Sequence, residues 1–145
     1  MYKITFTIFF ALVVSFAFGQ SAPGDRILGE WVNEEKDTRI EIYKTGTTYS
    51  GKLIWAQKLM EADGQTQRKD VNNTNEKLRT RSLLNIDLLH DFMYSEGIWD
   101  EGKMYDPKSG KTYSCLMKLR TEKLEIRGYV GIPLLGRSTY WERVL

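Results

Sequence analysis

Two reactive side chains are nearly missing: Cys115 is the only cysteine and His90 the only histidine in 145 residues. One thiol cannot close an internal disulfide, so in an oxidising compartment the core carries the stability alone or with a partner. Cys115 alternates with Tyr113 and Met117, the pattern of a small packing residue in a strand. One histidine cannot supply the usual zinc ligand sets, and no Gly-x-Ser-x-Gly nucleophile elbow is present. Cys115 and His90 have no spacing signature of a nucleophile with its base. A surplus of one charge is also lacking. With 21 Lys and Arg against 19 Asp and Glu the net charge is +2, which gives no electrostatic case for nucleic acid. The acidic cluster Glu34, Glu35 and Asp37 lacks the oxygen-ligand loop that calcium needs, so metals and cofactors are not expected. No internal repeat or low-complexity tract breaks the chain.

What is present begins with an apolar leader. Residues 2–19 carry one early lysine, Lys3, an apolar core from Ile8 to Phe18, and small residues at Ala17 and Gly19. This is the pattern of a secretory signal cleaved before Gln20, and the run is short for a membrane span of ~20 apolar residues. No cysteine stands at its end, the single one being Cys115, so lipid attachment through an N-terminal cysteine is excluded. The expectation is an exported, periplasmic or secreted protein with residues 1–19 as leader, residues 20–145 as one domain, and no further membrane segment.

The rest reads as strands. β-Branched and aromatic residues fill 27–33, 38–44, 48–57, 86–94, 98–106, 111–120, 123–129 and 136–144, separated by turn-forming residues. Ile40 and Ile42 alternate with Arg39, Glu41 and Tyr43, and Leu53 and Trp55 with Lys52 and Ile54, the period of two expected of a sheet with one buried face. Asp106-Pro107-Lys108-Ser109-Gly110 has proline and glycine where a hairpin uses them. About eight strands suit an all-β, antiparallel up-and-down barrel with a side-chain-filled or single-ligand interior. The first and last strands would then pair, with Gly29 and Trp31 at one end of the domain closing against Trp141 and Arg143 at the other, the guanidinium stacked on an indole.

One polar stretch, residues 58–82, interrupts the strands. Its length predicts a lid over one barrel mouth, with a short helix over 75–81 capped by Asn75.

Several motifs run through the whole domain: Gly29-x-Trp31, Gly51-Lys52-Leu53-Ile54-Trp55, Lys69-Asp70-x-x-Asn73, Leu78-Arg79-x-Arg81-x-Leu83-Leu84, Trp99-x-x-Gly102-x-x-Tyr105-Asp106-Pro107, Arg127-Gly128-Tyr129-Val130-Gly131 and Gly136-Arg137 through Trp141-x-Arg143. With these the chain resembles domain-of-unknown-function family 2147. The resemblance implies a small exported bacterial protein with a lipocalin-like barrel, and it brings no activity with it. Thr74 and Ser82 stand where that family usually has proline, and Asn85 where it usually has glycine.

Two readings of the polar positions compete. In one, Trp55, Trp99 and Tyr129 line the lumen while Asp70, Asn73, Arg79, Arg81 and Arg127 gather at its mouth to fix the polar head of a small apolar or amphipathic ligand. In the other, Asp70 caps a turn, Asp106 holds its own hairpin through an Asx bond, and Arg143 packs on Trp31. The strand residues Arg137, Thr139, Trp141 and Arg143 share one face, which is either a polar-lined interior or a wet exterior. A binding barrel should be hollow, and a structural or protein-interaction module should be packed solid. An enzyme, third in rank, would need two ionisable groups converging in one pocket, and no catalytic residue is assigned. The sequence does not specify an oligomeric state.

Overall fold

The computed structural model describes Gly19 and residues 21–145. The leader and its cleavage before Gln20 lie, Gly19 apart, outside the described residues. Eight antiparallel strands follow in order: β1 Gly29–Asn33, β2 Thr38–Thr45, β3 Thr48–Ala56, β4 Asp87–Ser95, β5 Ile98–Asp106, β6 Lys111–Arg120, β7 Lys123–Tyr129 and β8 Arg137–Arg143. Each is hydrogen-bonded to the next, and β8 returns to β1 with Trp31 opposite Arg143 and Asn33 opposite Trp141, so the sheet closes into a barrel without free edges. No helix among the described residues is long and apolar enough to cross a membrane.

Alternation sets inside and outside, and bulges reset it. Ile40, Ile42, Leu53 and Leu89 point inward and are buried, as the period of two requires. Asp91 (φ 56°) and Glu101 (φ 60°) are extra residues in the left-handed region, and they let Leu89 and Phe92, and Trp99 and Gly102, share the inner face across three positions. A further shift falls between β2 and β3, where Ile40 lies opposite Leu53 but Arg39 lies opposite Trp55. Ile54 is the surplus residue there, so Trp55 turns out of the barrel.

One end is plugged. Before β1 the chain forms a 3-10 turn, Pro23–Ile27, with Ile27 fully buried. The sequence pattern placed Ile27 in the first strand; the strand begins instead at Gly29, whose φ of +115° admits glycine readily. Trp31 Nε1 donates to the Ile27 carbonyl at 2.9 Å and Trp99 Nε1 to the Gly24 carbonyl at 3.1 Å. Asp25 accepts from Tyr49 Oη at 2.7 Å and Lys44 Nζ at 2.8 Å. Trp31, Ile40, Ile42, Phe92, Trp99, Cys115, Met117 and Leu124 pack above the plug as a continuous core. Hairpins β2–β3, β4–β5 and β6–β7 lie at this end, and the remaining connections, 34–37, 57–86, 107–110 and 130–136, at the other.

Candidate functional site

The upper part of the barrel is hollow. A cavity of about 330 Å³ is lined by Ile40, Leu88, Leu89, Met104, Ile126, Thr139 and Trp141, with Asn33, Thr38 and Asp106 toward its rim. A second, of about 550 Å³, is lined by Met104, Tyr113, Gly128, Tyr129, Val130, Leu135, Gly136, Arg137 and Thr139. Met104 and Thr139 border both, so the two form adjoining parts of one open lumen. Gly128 leaves the space into which Met104 projects, since a Cβ there would stand 2.6 Å from the Met104 methyl. Each volume falls in the range of small-molecule sites, ~300–1,000 Å³. A third hollow, about 570 Å³, lies outside the plugged end around Lys123, Glu142 and Arg143. Its Lys123 and Glu142 are already ion-paired, Lys123 with Glu34 and Glu142 with Lys36.

The face shared by Arg137, Thr139, Trp141 and Arg143 is therefore the inner one. Arg143 serves the plug: its guanidinium carbon sits 4.3 Å from the Trp31 ring centroid, Nη1 donates to the Leu28 carbonyl at 2.7 Å, and Nη2 to that of Arg26. Trp141 does more than join the ends of the barrel. It pairs with Asn33 across the seam, lines the smaller cavity, and donates from Nε1 to Thr139 Oγ1 at 3.0 Å. Arg137 is exposed at the wall of the larger cavity, and its side chain forms neither a hydrogen bond nor an ion pair among the described residues.

The polar residues of the insertion gather elsewhere. Asp70 is fully buried, and its Oδ2 accepts from Arg81 Nε at 3.0 Å and Asn73 Nδ2 at 2.8 Å while Oδ1 accepts from Tyr105 Oη at 2.5 Å. Arg79 donates to the Asn73 carbonyl at 2.7 Å. Burial, reinforced by the hydrogen bond to Asp70, pushes the Tyr105 phenol up to about 12. Every buried side-chain polar atom among the described residues has a partner, so the Asp70 carboxylate is fully engaged within the knot. It ties the insertion to the outer face of β5. Asn72 extends the tie by donating to the Pro107 and Lys108 carbonyls, and its own carbonyl lies 1.8 Å from where a Cβ of Gly110 would be, so only glycine fits there. No residue from 58 to 82 lines any of the three hollows. The expected lid is instead a strap along the outer wall.

The remaining expected lining residues divide. Tyr129 lines the larger cavity. Trp99 is fully buried in the plug-end core, bonded to the Gly24 carbonyl. Trp55 is 41% exposed on the outside, under the Arg39 guanidinium at 5.5 Å. Arg127 points outward as well, and holds the β7–β8 connection by donating to the Pro133 and Leu134 carbonyls and to Ser138 Oγ. Leu88, Leu89, Met104, Tyr113 and Ile126 are lumen residues that sequence reasoning left out of the site, and Arg137 and Thr139 belong to the shared face whose side it left open. The alternation Arg137, Thr139, Trp141 was the available signal.

Other expectations resolve locally. Asp106 Oδ1 accepts from the Lys108 amide at 3.0 Å, the anticipated Asx bond. Asn75 caps a 3-10 turn over Glu76–Leu78 through the Lys77 amide, shorter than the expected helix. Asn85, at φ 65°, occupies a left-handed position that asparagine tolerates in place of glycine. Cys115 is fully buried and burial pushes its thiol up to about 12, while His90 lies on β4 opposite Lys103, outside the inner face. The two form no catalytic pair.

A plugged, closed, eight-stranded antiparallel barrel with one open mouth is a lipocalin-like architecture. Residues 29–143 match the family model described as "Uncharacterized protein conserved in bacteria (DUF2147)", and the chain belongs to that family. Its fold is similar to that of protein HP1028 from the human pathogen Helicobacter pylori, described as belonging to the lipocalin family, with 25% sequence identity and a TM-score of 0.71 over 82% of this chain and 83% of that one. No curated protein matches the chain.

Proposed function

We propose that this protein is an exported carrier of a small anionic amphiphile, held with its apolar part in the lumen and its charged head against Arg137. One observation carries the reading: an arginine without an internal partner stands on the inner face of a barrel whose upper part is open and whose deeper wall is Leu88, Leu89, Met104, Ile126 and Trp141. Tyr113 and Tyr129 beside Arg137 add hydroxyl groups to the same wall. A guanidinium pairs with a carboxylate or phosphate in a bidentate manner, and the apolar chamber rewards burial of an alkyl chain. The plug end is packed solid, which supplies rigidity without closing the mouth. The leader pattern of residues 2–19 supports export.

Titration with a dansylated medium-chain fatty acid tests this directly. Saturable energy transfer from tryptophan, weakened about tenfold or more in Arg137→Gln with unchanged thermal stability, is the expected result. Absence of saturable binding to the wild-type chain refutes the carrier reading. Equal binding of the acid and its methyl ester refutes the role of Arg137.

A further inference from the structure

We infer that the β7–β8 connection is a docking tip that seats the open end of the barrel on an anionic lipid bilayer. Its residues Val130-Gly131-Ile132-Pro133-Leu134-Leu135 carry no polar side chain. They are also displayed outward: Val130 is 72% exposed, Ile132 53%, Leu134 82% and Leu135 75%. Scattered surface apolar residues are ordinary, but a contiguous group on one projecting loop marks a contact surface.

The loop is built to be exposed and also to be dehydrated. The Ile132 amide donates to the Val130 carbonyl, that of Leu135 to Ile132, and that of Gly136 to Pro133. Arg127 caps the tip from below, donating to the Pro133 carbonyl at 2.7 Å and to that of Leu134 at 3.3 Å. Pro133 has no amide hydrogen to satisfy. Just over half of the backbone polar groups of the tip are thus already paired, and this lowers the penalty for placing the loop against lipid chains.

Charge selects the occupant. Arg127 and Arg137 flank the tip in sequence, and Lys103 and Lys111 stand on the neighbouring strands β5 and β6, Lys103 opposite Ser114, which in turn lies opposite Tyr129. An apolar tip flanked by Arg127 and Arg137, with Lys103 and Lys111 on the strands beside it, suits the headgroup and acyl layers of an anionic leaflet. A second copy of this chain fits less well. Four side chains on a protruding turn bury far less than the ~1,200–2,000 Å² of a stable protein interface. Val130, Leu135 and Arg137 also border the larger cavity, so Ile132 and Leu134 are the part of the tip that does not depend on what the lumen holds.

Vesicle co-sedimentation tests the inference with residues 20–145, which contain the plug and every strand and lack the apolar leader. The probes are vesicles of phosphatidylglycerol with phosphatidylcholine, and of phosphatidylcholine alone. Binding to the anionic vesicles, reduced by added salt and weakened about tenfold or more by Ile132→Ser with Leu134→Ser, is expected. Neither of these side chains lines a cavity, so thermal stability and probe binding in the lumen should stay unchanged. Lys103→Gln with Lys111→Gln should weaken the anionic binding alone. Failure of the wild-type chain to sediment, or undiminished sedimentation of the serine variant, overturns the proposal. Self-association in ultracentrifugation that the serine variant abolishes overturns it in favour of a second copy.

Discussion

Arg143 is the cross-strand neighbour of Trp31, and its guanidinium lies over the indole while two of its nitrogens take up the carbonyls of Leu28 and Arg26. One side chain therefore joins the last strand, the first strand and the plug. Arg143→Ala removes a cation–π contact and two charge-assisted hydrogen bonds, and should lower stability by about 2 kcal/mol in chemical denaturation. Arg143→Lys keeps the charge but loses the forked geometry, so it should recover less than half of that loss. An alanine variant as stable as wild type would show that the barrel closes without this contact.

The buried Asp70 knot makes a different prediction. Removing its carboxylate strands the Arg81 guanidinium and the Tyr105 hydroxyl, so Asp70→Ala should cost about 3 kcal/mol, and Tyr105→Phe about 1 kcal/mol. Limited proteolysis should then cut within residues 58–82 faster than in the wild type. Tyr105→Phe keeps the ring that borders the smaller cavity, and no residue from 58 to 82 lines a hollow, so uptake of a lumen probe should persist in that variant. Loss of uptake without loss of stability would restore the insertion as part of the binding site.

The polarity and length of residues 58–82 suit a lid as well as a strap, and the contact that decides between them is remote in sequence. The residue that anchors the strap, Tyr105, is 35 positions from Asp70 and belongs to a strand whose outward face looked ordinary. Strand positions were legible almost throughout, because alternating apolar residues and turn chemistry are local signals. Facing was less so. A period of two tells which residues share a side, and for the mixed set Arg137, Thr139, Trp141 and Arg143 it left the choice of side open. Bulges erase even the parity: Ile54 sends Trp55 outward although Leu53 points in, and the surplus residues at Asp91 and Glu101 are silent in the sequence.

If the adjoining cavities form one usable lumen, filling their shared wall should abolish binding. Thr139 borders both and is exposed within them. Thr139→Trp places an indole in open space, where it displaces solvent and not neighbouring side chains, so the overpacking cost of ~1–3 kcal/mol should not arise. Probe binding should be lost while the melting temperature holds or rises. A large fall in melting temperature would mean that the lumen is already filled.

Alkali should weaken the fold through its phenols. Burial, with a hydrogen bond to Asp87, pushes Tyr43 up to about 12, and burial with Asp70 does the same for Tyr105, against an ordinary value of 10.0. A raised folded value means that the stabilisation is complete below pH 10.0 and is lost as the pH climbs through about 12. For the well-buried Tyr105 that contribution is on the order of 2 kcal/mol. In a native titration followed by tyrosinate absorbance, at least two phenols should ionise late, and Tyr105→Phe should remove one of them. The acid side runs oppositely. Hydrogen bonds from Lys44 and then Tyr49 hold the Asp25 carboxyl below its usual 3.8, so its contribution to the plug is present above that value and fades as the pH falls beneath it. Asp25→Asn should make the acid limb shallower and leave the late ionisation of Tyr43 and Tyr105 in place, whereas an unchanged acid limb would show that the plug does not depend on this charge.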